Sequence, residues 1–244
     1  MAANSLVKRA LSGLVLVALV VGMTLAWYDP ETGRAGWTFY LLWTAVGMLT
    51  LAEYVRLVAK KAAALRGKTL WLLLGGLYIV QAFCLIQRMN PMMVVTLMTV
   101  VWMADTGAYL VGSAVGRHQL APVISPKKTW EGFAGGMLFA VGVALVWYAL
   151  YWEGIFDGGV QLWGAEAYDD HVVGALKWGG FGLAIGLAAT AGDLIESKFK
   201  RILGVKDSGS FIPGHGGLLD RFDALLLAVP VAWGYVAWAG LMWG

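Results

Sequence analysis

Residues 190–223, TAGDLIESKFKRILGVKDSGSFIPGHGGLLDRFD, bring together side chains that can handle a hard cation and phosphate. Asp193, Glu196 and Lys200 fall at i, i+3 and i+7, one face of a helix, with Ser197 and Arg201 beside it. Asp220 and Asp223 form a second acidic pair at i, i+3. Between the two acidic groups runs Pro213-Gly214-His215-Gly216-Gly217, whose three glycines let backbone amides approach a ligand closely and cradle phosphate. Magnesium is usually held by one or two carboxylates together with substrate phosphates. The combination suits phosphoryl or nucleotidyl transfer, in which positioning and charge neutralisation do most of the catalytic work. A structural reading stays open: the same charges can form ion pairs at the ends of helices, and the glycines can serve turns or close packing.

A second group lies in residues 104–136, ADTGAYLVGSAVGRHQLAPVISPKKTWEGFAGG. Lys127 and Lys128 can neutralise a phosphate, Pro126 pre-sets a turn, and Thr129 or Ser125 caps the helix that follows. Glu131, three residues after Lys128, is expected to orient it. Read from these residues alone, ordinary positive-inside loop charge is the favoured explanation of the two lysines. Asp105 sits midway through an apolar segment, where it either hydrogen-bonds between helices or completes the polar site. Glu53, near the end of another apolar segment, is expected to snorkel to the interface.

The elements that position these groups are membrane spans. Of 244 residues 59% are hydrophobic and 14% charged, and mean hydropathy is +0.70. An average soluble domain is roughly 25% charged, so lipid is the solvent for most of this chain. Apolar segments run over 10–28, 37–57, 69–87, 92–115, 132–151, 178–195 and 220–243. They predict an all-α, polytopic fold of about seven transmembrane helices. The fourth is either one helix or two, because Asp105, Thr106 and Gly107 interrupt it. The first, following Lys8 and Arg9, reads as an uncleaved anchor. Residues 152–177 read as a solvated connector, with His171 at its surface. The single cysteine, Cys84, allows no intrachain disulfide and no thiolate cluster.

Of the 18 Lys and Arg residues, all but Arg34, Arg88 and Lys177 fall at the N-terminus or in the second, fourth and sixth connections. The opposite side carries Asp29, Glu31, Glu153, Asp157, Glu166, Asp169 and Asp170. This asymmetry predicts a cytoplasmic N-terminus and a cytoplasmic site. The chain reads as one membrane domain. Residues 1–90 hold N-terminal spans, 91–151 a middle region with the Ser-Pro-Lys-Lys-Thr-Trp-Glu-Gly loop, and 178–244 the catalytic region.

The run Ser197-Lys198-Phe199-Lys200-Arg201, then Lys206-Asp207, then residues 213–223 (PGHGGLLDRFD), resembles the signature of the phosphatidate cytidylyltransferase (CDP-diacylglycerol synthase) family. Asp193 stands seven residues before Lys200, where that family has an acid, and residues 104–136 are similar to its other motif block. The resemblance implies transfer of CMP from CTP to phosphatidic acid, through attack of the lipid phosphate on the α-phosphorus with pyrophosphate leaving. It implies Asp193, Lys200, Asp220 and Asp223 as catalytic residues, the three aspartates holding Mg²⁺, with a second metal ion left open. Ser197, Arg201, Lys206, His215, Gly216, Gly217, Arg221, Lys127, Lys128 and Asp105 are then substrate-binding. The implied partners are CTP, phosphatidic acid, the bilayer of a bacterial inner membrane and a second copy in a homodimer, with no nucleic acid. A sibling enzyme acting on another lipid phosphate, such as a CDP-archaeol synthase, stays open. An ion-coupled transporter predicts internal repeats, and the sequence has none.

Overall fold

The computed structural model describes residues 2–29, 32, 34–60, 67–153, 171–209 and 217–238, with the backbone alone for 2–12 and 14. Among the described residues, seven helices and one hairpin follow in chain order: α1 (Ala2–Leu25), α2 (Trp37–Lys60), α3 (Lys68–Ile86), α4 (Pro91–Val115), β1 (Gln119–Ala121), β2 (Ser125–Thr129), α5 (Trp130–Trp152), α6 (His171–Ile202) and α7 (Leu219–Trp238). Helices α2 to α6 are each long and apolar enough to cross a membrane. The chain is an all-α polytopic membrane protein, its backbone donors and acceptors satisfied within each helix as lipid requires.

Each helix coincides with an apolar segment of the sequence, and the differences have local causes. Helix α4 is one unbroken helix. Its N-cap Asn90 accepts a hydrogen bond from the Met92 N–H at 2.9 Å, and Pro91 occupies the first turn. Across the polar interruption, Thr106 Oγ1 donates back to the Trp102 carbonyl at 2.7 Å, so its hydroxyl is satisfied inside the helix. Gly107 serves packing rather than a break, since a Cβ there would lie 2.5 Å from the Phe139 ring of α5. Helix α6 has 32 residues and outruns its apolar core at both ends. Hydropathy falls at the first charges, but backbone hydrogen bonding continues through them. Residues 171–177 are therefore helical rather than connector, and the exposed His171 ring lies 3.6 Å from the Trp152 ring.

Between α4 and α5 the chain forms a short antiparallel hairpin, pairing Gln119 with Thr129 and Ala121 with Ser125 around a bulge. The turn falls at residues 121–124, where the Ile124 N–H meets the Ala121 carbonyl. Pro126 thus lies in β2, not in the turn, and its carbonyl accepts from Gln119 Nε2 at 3.1 Å. Of the two candidate caps, Thr129 is the one used: its hydroxyl accepts from the Gly132 N–H at 3.1 Å.

Helices α4, α5, α6 and α7 pack successively, while α3 joins α2 to α7. The core centres on Phe39, Trp43, Met93, Leu97, Phe181 and Ile185, all fully buried. Small residues set the spacing where α6 meets α7. At Gly192 a Cβ would stand 2.7 Å from the Asp223 carbonyl oxygen, so that glycine fixes how near Asp193 comes to Asp223. Gly192→Ala should therefore destabilise the protein by about 1–3 kcal/mol. Gly142→Ala, where nothing lies within 4 Å, should be neutral or stabilising. Thermal midpoints of the two variants in the same detergent check this, and equal midpoints would remove the need for close α6–α7 contact.

Candidate active site

The last two turns of α6 bury Glu196 and Lys200 and leave Lys198 and Arg201 exposed. Glu196 and Lys200, one helical turn apart, form an ion pair with Lys200 Nζ at 2.5 Å from Glu196 Oε2. The same ammonium donates to Asp220 Oδ1 at 2.8 Å, joining α6 to the first turn of α7. All three side chains are buried, with 7–12% of each exposed. Lys200 has three N–H donors, and two are spent on these carboxylates. Glu196 Oε1 has no hydrogen-bond partner among the described residues.

Asp220 is held from the other side by backbone. Its Oδ2 accepts from the Gly217 N–H at 2.8 Å and the Ser208 N–H at 3.0 Å. The carboxylate thus ties the first turn of α7 to Gly217, just before the helix, as an acid near a helix N-terminus is suited to do. Ser208 is buried, and its hydroxyl donates to Glu53 Oε1 of α2. Glu53 Oε2 accepts from the Leu218 N–H at 2.7 Å.

A second ion pair lies alongside. Lys128 Nζ on β2 is 2.5 Å from Asp193 Oδ2, and Ser197 Oγ donates to Asp193 Oδ1 at 3.1 Å. Arg201 Nε and Nη1 donate to the Ile124 and Val205 carbonyls at 3.4 and 3.1 Å, tying the hairpin to the end of α6. The two sequence blocks therefore meet at one place. Asp105 of α4 and Asp223 of α7 both lie within electrostatic reach of Asp193. Asp223 Oδ1 accepts from the Ala224 N–H at 2.7 Å. Among the described residues, no three Asp, Glu, His or Cys side chains stand close enough to cage a metal ion by themselves.

Beside these charges opens a cavity of about 370 Å³. Tyr54, Trp71, Leu74, Ile195, Phe199 and Leu226 make most of its wall apolar, and Glu196 and Asp223 border it. Trp71 and Tyr54 both pack on Phe199, with ring centroids 5.4 Å apart in each case.

The structure thus gathers Asp193, Ser197, Lys200, Asp220, Lys128 and Gly217, with Asp105 and Asp223 near. Lys127, Lys206 and Arg221 are exposed. Pro213, Gly214, His215 and Gly216 lie outside the described residues, as do Lys61, Arg66 and the acids Glu31, Asp157, Glu166, Asp169 and Asp170.

Two expected roles are corrected. Glu131 does not orient Lys128. Its Oε2 accepts from the Arg117 and His118 N–H groups at 3.1 and 3.2 Å, and its Oε1 pairs with His118 Nδ1 at 2.6 Å, so it closes the exit from α4. The strand conformation of residues 125–129 carries Lys128 toward Asp193 instead. Glu53 does not snorkel, because donors from residues 208 and 218 meet its carboxylate within the protein. Sequence reasoning placed Glu196 on the face of Asp193 and Lys200 but gave it no role in the site, and it left out Ser208. The spacing of Glu196 four residues before Lys200 was the available signal for the first; Glu53 and Ser208 carry none, since their contacts are made across the fold.

Residues 69–239, over two thirds of the chain, match the model of the cytidylyltransferase family. The chain is similar to proteins named phosphatidate cytidylyltransferase. It is 44% identical to that of Staphylococcus aureus (strain COL) over 132 residues. Over the same length it is 42% identical to the Staphylococcus saprophyticus protein and 41% to a Staphylococcus epidermidis one. Each alignment takes in 54% of this chain and 44% of the relative, so the chain matches under half the length of these relatives. With the paired Lys200–Asp220 and Lys128–Asp193 contacts lying inside the matched residues, the chain belongs to the cytidylyltransferase family.

Proposed function

We propose that this protein transfers CMP from CTP to phosphatidic acid, yielding CDP-diacylglycerol and pyrophosphate. The observation that carries the reading is a buried lysine, Lys200, fixed between Asp220 and Glu196, with Glu196 itself on the border of an apolar cavity. Such a border suits a reaction with one lipid and one water-soluble substrate. The cavity volume falls within the 300–1,000 Å³ common for ligand pockets. Its aromatic and aliphatic wall suits an acyl chain of the lipid, with the phosphate directed toward the charged end. The relatives' name supports the same reading.

In the proposed reaction a phosphate oxygen of the lipid forms a bond to the α-phosphorus of CTP. The bond from that phosphorus to the β-phosphate bridging oxygen breaks, and its electron pair leaves with pyrophosphate. Lys200 directs its remaining N–H toward the phosphates, and Lys128 supplies a second positive charge from the hairpin. Glu196 and Asp220 hold the Lys200 ammonium in place before substrate arrives, so no reorganisation is needed as charge grows on the leaving group.

The donor set fits a hard divalent cation such as Mg²⁺. Asp193 has Asp105 and Asp223 as electrostatic neighbours, and magnesium needs only one or two protein carboxylates when phosphates and water complete its shell. Asp223 would hold it together with Asp193, which would give up its contact with Lys128 to do so. Asp220, whose oxygens serve Lys200, Ser208 and Gly217, would join only by yielding one of these bonds. Bound there, the ion would neutralise phosphate charge. The distribution of Lys and Arg supports a site on the cytoplasmic side of a bacterial inner membrane. A homodimer completes the proposal, on the strength of the family resemblance.

Labelled CTP and phosphatidic acid in detergent test the reading directly. Product should form only with a divalent cation and disappear in EDTA; full turnover in chelator would end the metal assignment. Asp193→Asn should lose more than about 90% of the rate, over about 1.4 kcal/mol in barrier, while the protein still inserts and folds.

Lys200→Gln should lower kcat at least about a hundredfold, roughly 2.7 kcal/mol, with little change in apparent lipid affinity. It should also destabilise, because two buried carboxylates lose their shared cation. The double variant Lys200→Gln/Glu196→Gln separates the two effects: thermal stability should recover while kcat stays low. Recovery of both would make Lys200 a structural group alone.

A further inference from the structure

Glu53 stands on α2, outside the residues matched by the family, yet it reaches the site from there. Its Oε1 accepts from the Ser208 hydroxyl, and its Oε2 from the Leu218 N–H at 2.7 Å, with the Leu219 N–H at 3.5 Å. Ser208 lies in the connection beyond the end of α6 at Ile202, and Leu218 and Leu219 lie where α7 begins. Glycine at 209 and at 217 admits the carboxylate. A Cβ at Gly209 would stand 2.5 Å from Glu53 Oε1, and one at Gly217 would collide with it outright. Leu218 and Leu219 are buried, so their N–H groups need partners from within the protein. Among the described residues no cation pairs with Glu53; its charge is met by hydroxyl and amide donors and by the positive end of α7.

Ser208 is held from both sides, its hydroxyl by Glu53 and its N–H by Asp220. Glu53 and Asp220 therefore grip the same two segments, and Asp220 in turn grips Lys200. We infer that Glu53 is a positioning residue, a latch from α2 that fixes the start of α7 and through it the placement of Asp220 against Lys200. It touches neither Lys200 nor the aspartates near Asp193, and it acts by hydrogen bonding rather than by charge.

That distinction gives the test. In Glu53→Gln the side-chain oxygen can accept from the Leu218 N–H while its amide donates to Ser208 Oγ, since a hydroxyl both donates and accepts. Glu53→Ala can do neither. Hydrogen exchange on the purified, intact protein should speed up at least about tenfold at Ser208, Leu218 and Leu219 in Glu53→Ala. It should stay near wild type at those amides in Glu53→Gln, and in α4 and α5 of both variants. Unchanged exchange at these amides in Glu53→Ala would overturn the latch, as would equal acceleration throughout the chain.

The functional arm rests on the proposed cytidylyl transfer. There kcat should fall at least about tenfold in Glu53→Ala and by no more than about threefold in Glu53→Gln. Equal losses in the two would mean that the charge itself acts, and would overturn a positioning role. So would an unchanged kcat in Glu53→Ala. If wild-type protein turned over no CTP, the reading of function would fail, and hydrogen exchange would still decide the latch.

Discussion

One ammonium group shared by two buried carboxylates holds the site together. Lys200 Nζ meets Glu196 on its own helix and Asp220 on the next. Removing three charged groups from water costs several kcal/mol for each ion, and only short, well-made contacts offset it. The end of α6 and the start of α7 are therefore tightly constrained relative to each other. Asp220 extends the constraint to Gly217 and Ser208, and Glu53 extends it to α2. Through Lys128 and Asp193 a parallel contact brings in the hairpin and hence the α4–α5 pair. Side chains of α2, β2, α6 and α7 converge on a few polar atoms, beside a core that is mostly apolar.

Lipid as a solvent explains why so few polar contacts carry so much of the specificity. Between helices in hydrocarbon there is little hydrophobic preference for one apolar partner over another, so shape and polar pairing decide. Gly107 and Gly192 supply shape, each admitting a neighbouring helix where a methyl group would not fit. The ion pairs supply direction. The cavity walled by Tyr54, Trp71 and Phe199 lies against this charged cluster and shares Glu196 and Asp223 with it. Apolar space and charge adjoin because Ile195 and Phe199 stand next to Glu196 and Lys200 on α6, and Glu196 shares the cavity wall with both.

Different features of the chain were legible to different degrees. The helices were readable because a span in lipid must be apolar along its length, and hydropathy measures just that. Their ends were less so: α6 runs on through His171 and Lys177 at one end and through Lys198 to Arg201 at the other, where charge lowers hydropathy without breaking the helix. The interruption at Asp105–Gly107 left one helix or two open, since the local residues permit either; packing against Phe139 settles it as one. Glu131 looked like a partner for Lys128 because it is near in sequence, but β2 carries Lys128 toward α6 and leaves Glu131 facing the chain that exits α4.

The sequence by itself determined the membrane-spanning character, the approximate limits of the apolar helices, and the two blocks of charged residues that the fold brings together. Each of these is a property of a single segment, set by composition or by the spacing of residues along one helix. The tertiary structure alone decided which charge meets which: Lys128 with Asp193, Lys200 with Asp220 as well as its neighbour Glu196, and Glu53 with the start of α7. The Glu53 contact joins residues 165 positions apart. No local periodicity encodes such a pairing, because it is selected by the cost of leaving a buried polar group unpaired once the helices have packed.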